Sequence, residues 1–195
     1  MKSIILSVQP QWLAKILNGE KTIEIRKSAP KEFPCEVYLY CTIGKPYLNQ
    51  HKGTPFEDGQ LHTSYILQDC PLNFEEHTSK HLSAINLNGK VVAKFTLNKV
   101  DKVRPDRFIG LQDGFIFEGS SNLRETCLTH QELEKYLSPK MIGFALHIDD
   151  LVIFDKPMEL GEFQHKPKWA VNEFSNVLET ITRAPQSWQY CEVIK

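Results

Sequence analysis

Residues 10–27 read PQWLAKILNGEKTIEIRK, and the spacing of their apolar positions changes at Gly19. Before that glycine the apolar residues recur at the spacing of an amphipathic helix, and Pro10 stands where a first helical turn tolerates proline. The residues of this apolar stripe are Leu13, Ile16 and Leu17. Because a glycine in the left-handed conformation commonly closes a helix, we predict that the helix ends at Gly19 and that the chain then changes direction.

The five residues after Lys21 alternate between polar and apolar side chains, which is typical of a half-buried strand. We expect the two isoleucines of this strand, Ile23 and Ile25, to face the core. The polar residues on the opposite face are Thr22, Glu24 and Arg26. The sequence therefore predicts a compact array of hydrogen-bond donors around one carboxylate, directly after the helix.

Such an array can hold a phosphate or the edge of a nucleobase. Arg26 offers a planar fork for bidentate hydrogen bonds, and Lys21 offers a point charge. Glu24 can accept a hydrogen bond from a base amino group, as carboxylates do with cytosine N4. The alternative is an ordinary solvated strand face on which Glu24 pairs with Lys21 or Arg26.

Elsewhere the patterns favour strands over helices. The predicted strands are Ile4–Val8, Glu36–Ile43, Val91–Leu97, Phe144–Ile148, Leu151–Phe154 and Trp188–Ile194. A capping box of Thr129 and Glu132 marks the start of a second helix, and a final helix is predicted over Trp169–Ile181. Because strands and helices do not alternate regularly, we predict an α+β fold: a small, mostly antiparallel β-barrel with packed helices.

The composition is that of a globular domain. The chain has 195 residues, 41% hydrophobic and 24% charged, with a formal net charge of −1. We predict one domain over 1–195 with insertions near 44–88 and 104–128, where the periodic patterns weaken. The near-zero net charge excludes a uniformly basic nucleic-acid coat and an acidic disordered tail. Residues 1–50 carry seven Lys and Arg against four Asp and Glu, which favours an anionic ligand there unless the excess is a chance fluctuation.

We expect a cytoplasmic protein that holds no metal and no cofactor and does not associate with membranes. The N-terminal apolar run is too short for a signal peptide or a membrane span. The five cysteines are odd in number and include no CxxC pair, so reduced thiols are expected. Cys70, His77 and His81 lack an evident fourth ligand for structural zinc, and no glycine-rich phosphate loop is present.

One histidine resembles a general base. His147 lies on a predicted strand close to Asp149 and Asp150, either of which could orient its ring. The sequence places no serine or cysteine nucleophile beside it. We therefore expect a partly buried histidine with satisfied hydrogen bonds.

The N-terminal residues resemble the signature of the ASCH domain, a branch of the PUA-like superfamily. That signature is an apolar strand and a helix, followed by a turn and strand of the form G-x-K-x-h-E-h-R. The matching residues are Ile4, Leu6, Ser7, Val8 and Pro10, followed by the run from Ala14 to Arg26. The likeness is close over 4–27, extends to the strand ending near Ile43, and is absent from the two inserted stretches. The run Arg183–Trp188 is similar to longer ASCH-containing proteins of phages and gut bacteria.

The resemblance implies a PUA-like barrel that binds RNA or a modified nucleoside in a cleft beside the first helix. Lys21, Glu24 and Arg26 are then the main candidates for lining that cleft. Secondary candidates are Thr22, which shares their strand face, and two aromatic residues able to stack on bases, Tyr40 and Trp12.

The resemblance also implies two alternatives to simple binding. Some ASCH proteins remove the acetyl group of N4-acetylcytidine, and at least one is a ribonuclease. In the amidohydrolases, a lysine of this turn and a threonine three positions later act in catalysis, together with a glutamate further along the chain. Lys21 matches that lysine, whereas Glu24 stands in the place of the threonine. A hydrolase would thus need Glu24 to activate water and Lys21 to stabilise the oxyanion. The other alternative is a phage-encoded interaction protein that binds a protein partner through its insertions.

Overall fold

The fold is built mainly from strands. The computed structural model describes residues 1–55, 61–75, 82–106, 114–165 and 179–194. The elements in these residues are β1 (Lys2–Val8), α1 (Pro10–Leu17), β2 (Ile23–Arg26), β3 (Cys35–Cys41), β4 (Tyr47–Pro55), β5 (Leu61–Gln68), β6 (Asn73–Glu75), β7 (Ser83–Asn86), β8 (Lys90–Leu97), β9 (Val100–Asp106), β10 (Gly114–Glu118), α2 (His130–Leu137), β11 (Gly143–His147), β12 (Asp149–Glu159), β13 (Phe163–His165) and β14 (Trp188–Val193). All six strands listed as predicted above are present, with ends shifted by a few residues.

The strands form three sheets. A six-stranded sheet has the order β12-β8-β3-β1-β14-β13, and two four-stranded sheets have the orders β10-β9-β11-β2 and β5-β4-β7-β6. Strands β1 and β3 run parallel, and all other pairings between the described strands are antiparallel. The mostly antiparallel α+β prediction agrees with this arrangement. The predicted barrel is not confirmed, because none of the three sheets closes on itself in the described residues.

Helix α1 ends where the sequence predicts. Gly19 adopts a φ of +76°, and the backbone N–H groups of Gly19 and Lys21 donate to the carbonyls of Ile16 and Lys15 at 3.0 and 3.1 Å. These bonds satisfy carbonyls that the end of a helix leaves free. The turn therefore brings Lys21 to the start of β2 in a fixed position.

One face of strand β2 packs on helix α2. The predicted capping box at the start of α2 is confirmed, since Thr129 and Glu132 each bond the other's backbone N–H. The core-facing side of β2 packs on this helix and on the neighbouring strands. That cluster comprises Ile23, Ile25, Val103, Leu133, Leu137 and Ala145. As a result the polar residues of β2 point away from α2's apolar face.

The central strand β3 is covered on both faces. Its residues Val37, Leu39 and Cys41 belong to the cluster beneath α1. Tyr38 and Tyr40 point the other way, where the ring of Tyr38 meets Phe163 edge-on at 5.1 Å between centroids. The alternation in β3 thus divides two cores rather than separating core from solvent.

The first predicted insertion contains regular structure. Within 44–88, strands β4 to β7 form the third sheet, which adjoins α1 through β4 and β5. The division of the chain into one domain with two insertions stays a prediction. The helix predicted over Trp169–Ile181 falls outside the described residues except at its end, where Ile181 is fully buried. In the part of the chain that the structure describes, no helix is long and apolar enough to cross a membrane.

Candidate functional site

An open cleft of about 1140 Å³ lies between the start of α1, strand β2 and helix α2. Trp12 of α1, Lys21 and two residues of β2, Glu24 and Arg26, line it together. Thus the structure places four of the six sequence-predicted site residues around one cavity. The cleft also adjoins the start of α1, through Gln9, Gln11 and Trp12.

Glu24 lies at the centre of a buried ion-pair network. Its Oε2 is 3.3 Å from Lys21 Nζ, and its Oε1 is 3.0 Å from Arg26 Nη2. The side chains of Lys21, Glu24 and Arg26 are only 2%, 8% and 10% exposed. Glu24 therefore pairs with both cations. The sequence alternative of an ordinary strand face also included such pairing, but it required a solvated face, and this face is buried.

Backbone from a distant segment holds Lys21. Its ammonium group donates to the carbonyl of Thr126 at 2.5 Å and lies 5.6 Å from the centre of the Trp12 ring. Thr126 ends a short 3₁₀ turn, Arg124–Thr126, and the preceding carbonyl, that of Glu125, accepts from the N–H of Thr22 at 3.1 Å. Lys21 thus has three kinds of partner: a carboxylate, a carbonyl and an aromatic face.

Arg26 is only partly satisfied. Its Nη2 donates to the carbonyl of Ser7 at 2.6 Å as well as pairing with Glu24. Its Nε–H is buried and has no acceptor among the described residues. Leaving a buried donor without a partner costs about 1–3 kcal/mol, and more in a charged group. Arg26 therefore carries one buried donor that the described residues leave without an acceptor.

The rim of the cleft adds cations and polar groups. Lys27 lies 5.5 Å from the centre of the Tyr136 ring and donates to the carbonyl of Ser138 at 3.2 Å. Lys135 also lines the cleft, as does Glu132, whose carboxylate is bound at the N-terminus of α2. Among the described residues, four cationic side chains and two carboxylates thus line the cleft.

Two predicted site residues do not lie in the cleft. Strand β2 begins at Ile23, one residue later than predicted, and the exposed Thr22 is not part of the cleft lining. Tyr40 is buried in the cluster on the far face of β3, with Val91 and Phe163. Burial there raises the pKa of Tyr40, in the manner of a core phenol. Tyr40 cannot meet a ligand in the cleft without a rearrangement, whereas Thr22 is exposed but lies outside the cleft lining.

A second polar cluster surrounds His147. Its Nε2 is 2.8 Å from Asp101 Oδ2 and 3.0 Å from Ser121 Oγ, and Ser121 donates a hydrogen bond to the same carboxylate oxygen. Burial tends to raise the pKa of Asp101, but bonds from Ser121, His147 and Lys99 together lower it to about 2. A Ser-His-Asp relay needs both imidazole nitrogens, one for the serine and one for the aspartate, whereas here both contacts fall on Nε2.

The sequence did not identify this cluster. Asp149 and Asp150 were the expected partners of His147, and the structure brings Asp101 instead, through the pairing of β9 with β11. Ser121 lies 20 residues from Asp101 and 26 from His147, so no local spacing signals the contact. The expectation of a partly buried histidine with hydrogen-bond partners agrees with the structure. Of the residues considered for zinc, His77 and His81 lie outside the described residues.

Comparison with known proteins gave similarity at the level of structure alone. No family model and no curated protein matches the chain. Among solved structures, the chain is similar to ASCH from Zymomonas mobilis with 15% identity and a TM-score of 0.49, covering 97% of this chain and 87% of that one. Two point mutants of the same protein match equally, with 87% and 90% of their chains covered.

Proposed function

We propose that this protein binds RNA or a modified nucleoside in the cleft beside α1. The observation that carries the proposal is the buried network of Lys21, Glu24 and Arg26 in the lining of an open cavity. Charged groups are seldom buried unless they are paired, and binding sites commonly place a few such polar groups in the wall of a cleft. This network keeps one donor free on Arg26.

The remaining lining suits a nucleobase with its sugar. Trp12 and Tyr136 provide aromatic surface, and aromatic stacking contributes about 1–3 kcal/mol per base. Gln9, Gln11 and Gln186 provide amide groups that can both donate and accept. The near-zero net charge favours a short single strand or a lone nucleoside over a long duplex, because few cations are available to release counterions.

Binding is favoured over hydrolysis by the state of Glu24. Both carboxylate oxygens already contact a cation, so a water molecule would have to displace one of them before Glu24 could take its proton. As a positioned anion, Glu24 instead orients Lys21 and Arg26. Lys21 and Arg26 then present donors to an oxygen of the ligand, while Trp12 covers the lysine.

A titration of labelled short single-stranded RNAs and of free nucleosides tests the proposal. We expect saturable binding by the wild type and at least about tenfold weaker binding by Lys21→Ala, which removes a charged donor. Lys156→Ala is the matched control, because Lys156 is exposed and lies outside the cleft. Equal affinity of Lys21→Ala and the wild type would contradict the proposed site.

The hydrolase remains the second candidate because Lys21 and Glu24 are in contact within the cleft. In that reaction Glu24 accepts a proton from water, hydroxide adds to the acyl carbon of N4-acetylcytidine, and Lys21 stabilises the oxyanion. Collapse breaks the C–N bond, and the proton from Glu24 goes to the leaving amine, which yields acetate and cytidine. Release of acetate that Lys21→Ala abolishes and Lys156→Ala retains would establish this function in place of binding alone.

A further inference from the structure

We propose that a second pocket of this protein binds a small organic anion with an apolar body, of the class of aromatic carboxylates. The pocket has a volume of about 440 Å³, and among the described lining residues it shares Ser28 alone with the cleft. The proposal concerns a different site from that of the proposed function and does not depend on it. It rests on exposed apolar surface and on two lysines that lack a described counter-ion.

The pocket is lined by two neighbouring strands, β9 and β11, and by the segment that joins β2 to β3. Lys102 of β9 and Phe144 of β11 are partners in the sheet, so their side chains leave the same face and line the pocket together. The apolar lining residues are Ala29, Pro30, Phe33, Val100 and Phe144. The fold therefore assembles the pocket from three separate stretches of the chain.

The segment that joins β2 to β3 is held at both ends. The indole N–H of Trp188 donates to the carbonyl and hydroxyl oxygens of Ser28 at 3.1 Å. At the other end, Cys35 begins β3 and is paired with both β1 and β8. Because this wall is already fixed, a ligand does not have to order it, which favours binding.

The apolar surface of the pocket is incompletely covered. Phe33 is 47% exposed. Val100 and Phe144 pack against the core cluster beneath α1, but each of them is only partly buried. A ligand that covers this surface removes apolar area from water, which is favourable in proportion to the area. An apolar body in the pocket is therefore stabilised by the same effect that stabilises the core.

Two cations line the same pocket. Lys31 and Lys102 are exposed, and the described lining residues include no carboxylate. The acidic neighbour of each lysine is engaged elsewhere: Glu32, next to Lys31 in the sequence, pairs with a lysine of β1. Glu118, opposite Lys102 in the sheet, pairs with Arg104. Apolar surface beside two such lysines is complementary to an apolar molecule that carries a negative charge.

The size of the pocket favours a small molecule over a protein segment. A volume of about 440 Å³ lies within the range of about 300–1,000 Å³ that is typical of small-molecule sites. A stable protein interface covers about 800 Å² on each partner, which is far more surface than the few residues of this pocket provide.

Calorimetric titration of the wild-type protein with three probes tests the proposal. Naphthalene-2-carboxylate has the charge and the apolar body, naphthalene-2-carboxamide has the body alone, and acetate has the charge alone. We expect saturable binding of the carboxylate, at least about threefold tighter than that of the carboxamide, because two exposed cations contribute to it. Acetate should show no saturable binding.

Two phenylalanine variants assign the apolar contact to this pocket. Phe33→Ala should weaken the binding of naphthalene-2-carboxylate several-fold. Phe74→Ala is the matched control, because Phe74 has the same 47% exposure but lies on β6, outside the pocket, and this variant should bind like the wild type.

Two double variants assign the charge preference. Lys31→Gln with Lys102→Gln should bind the carboxylate and the carboxamide equally. Lys140→Gln with Lys156→Gln removes the same total charge from exposed positions outside the pocket and should keep the preference. All four lysines are exposed, so both double variants are expected to fold.

Three results would overturn the proposal. The first is equal binding of the carboxylate and the carboxamide by the wild type, or binding of neither. The second is binding of naphthalene-2-carboxylate that Phe33→Ala retains and Lys21→Ala loses, which would place the anion in the cleft. The third is binding of the peptide N-acetyl-Asp-Phe-Asp-amide without binding of the carboxylate, which would make the ligand an acidic protein segment.

Discussion

Two buried polar clusters in this molecule contain similar side chains but differ in how completely they are satisfied. At Asp101, the carboxylate accepts from the hydroxyl and N–H of Ser121, from His147 and from Lys99, so one anion is surrounded by donors. Around Glu24, two cations share a single carboxylate and Arg26 keeps a free N–H. The satisfied cluster joins segments of the fold, whereas the unsatisfied one adjoins the cleft.

This difference shows how a structural network can be told from a binding one. Buried polar groups that complete each other's hydrogen bonds gain nothing from a ligand. A buried network with an uncompensated charge or an unpaired donor is stabilised when a ligand supplies the opposite charge or an acceptor. By this criterion the Ser-His-Asp composition around His147 is less informative about function than the excess charge around Glu24.

The largest expected effect comes from removing the shared carboxylate. Glu24→Gln leaves Lys21 and Arg26 buried without an anion, which should lower the free energy of unfolding by about 3–5 kcal/mol. The control is Glu118→Gln, because Glu118 pairs with Arg104 on the surface and should contribute less than about 1 kcal/mol. Urea denaturation measures both. Equal small losses in the two variants would show that burial does not make the Glu24 network special.

A smaller loss is expected at the satisfied cluster. Asp101→Asn removes the charge that His147 and Ser121 share, at a cost of about 2 kcal/mol in the free energy of unfolding. Because this cluster does not line the cleft, the variant should bind short RNA with the affinity of the wild type. Loss of RNA binding in a folded Asp101→Asn protein would contradict the distinction between the two clusters.

The same aspartate predicts a pH dependence. Its pKa in the folded protein is about 2, below the value of about 3.9 in an unfolded chain. Its contribution to stability is therefore complete above pH 4 and is lost as the pH falls through 2. Over that range the stability advantage of the wild type over Asp101→Asn should shrink. A constant difference down to pH 2, measured by thermal unfolding, would contradict the assigned hydrogen bonds.

A weaker effect is expected from the ring beside Lys21. Trp12→Leu removes a cation–π contact of about 0.5–2 kcal/mol and one face of the cleft, so RNA affinity should fall several-fold. Trp12→Phe retains an aromatic face and should recover part of the loss. Titration of a short RNA compares the affinities of the two variants and the wild type. Equal affinities would show that the Trp12 ring does not contribute to binding.

The smallest effect is expected at Thr22. Its side chain is exposed and outside the cleft, although it belongs to the motif. Thr22→Val should therefore leave RNA affinity within about twofold of the wild type, since exposed substitutions away from a site change free energies by about 0.5 kcal/mol or less. A tenfold loss in the same titration would show that the cleft extends to this residue.

The local features of the site could be predicted from the sequence. The end of α1 at Gly19 and the capping box of α2 depend on residues a few positions apart, and both are present. The positions of Lys21, Glu24 and Arg26 follow from one turn and one strand. Their convergence could therefore be expected before the fold was known.

The features that the sequence did not reveal depend on distant pairings. The side chain of Tyr40 points to the face of β3 that the alternating pattern predicts. Because both faces of β3 are covered by other parts of the fold, this pattern cannot show whether a face lines a cleft or a core. Lys21 donates to the carbonyl of Thr126, 105 residues away, and Arg26 donates to the carbonyl of Ser7. No local sequence pattern predicts these contacts. The excess charge of the site becomes visible only when those neutral partners are known.

Nuclear magnetic resonance of the arginine Nε–H groups tests the central claim most directly. Arg26 Nε–H has no acceptor among the described residues, while that of Arg104 donates to Glu118 at 2.6 Å and lies outside the cleft. On addition of cytidylyl-cytidine, the Arg26 resonance should shift because a ligand held by the network changes the surroundings of its guanidinium, and that of Arg104 should stay in place. Saturable binding with an unmoved Arg26 resonance would contradict the claim that the buried network receives the ligand.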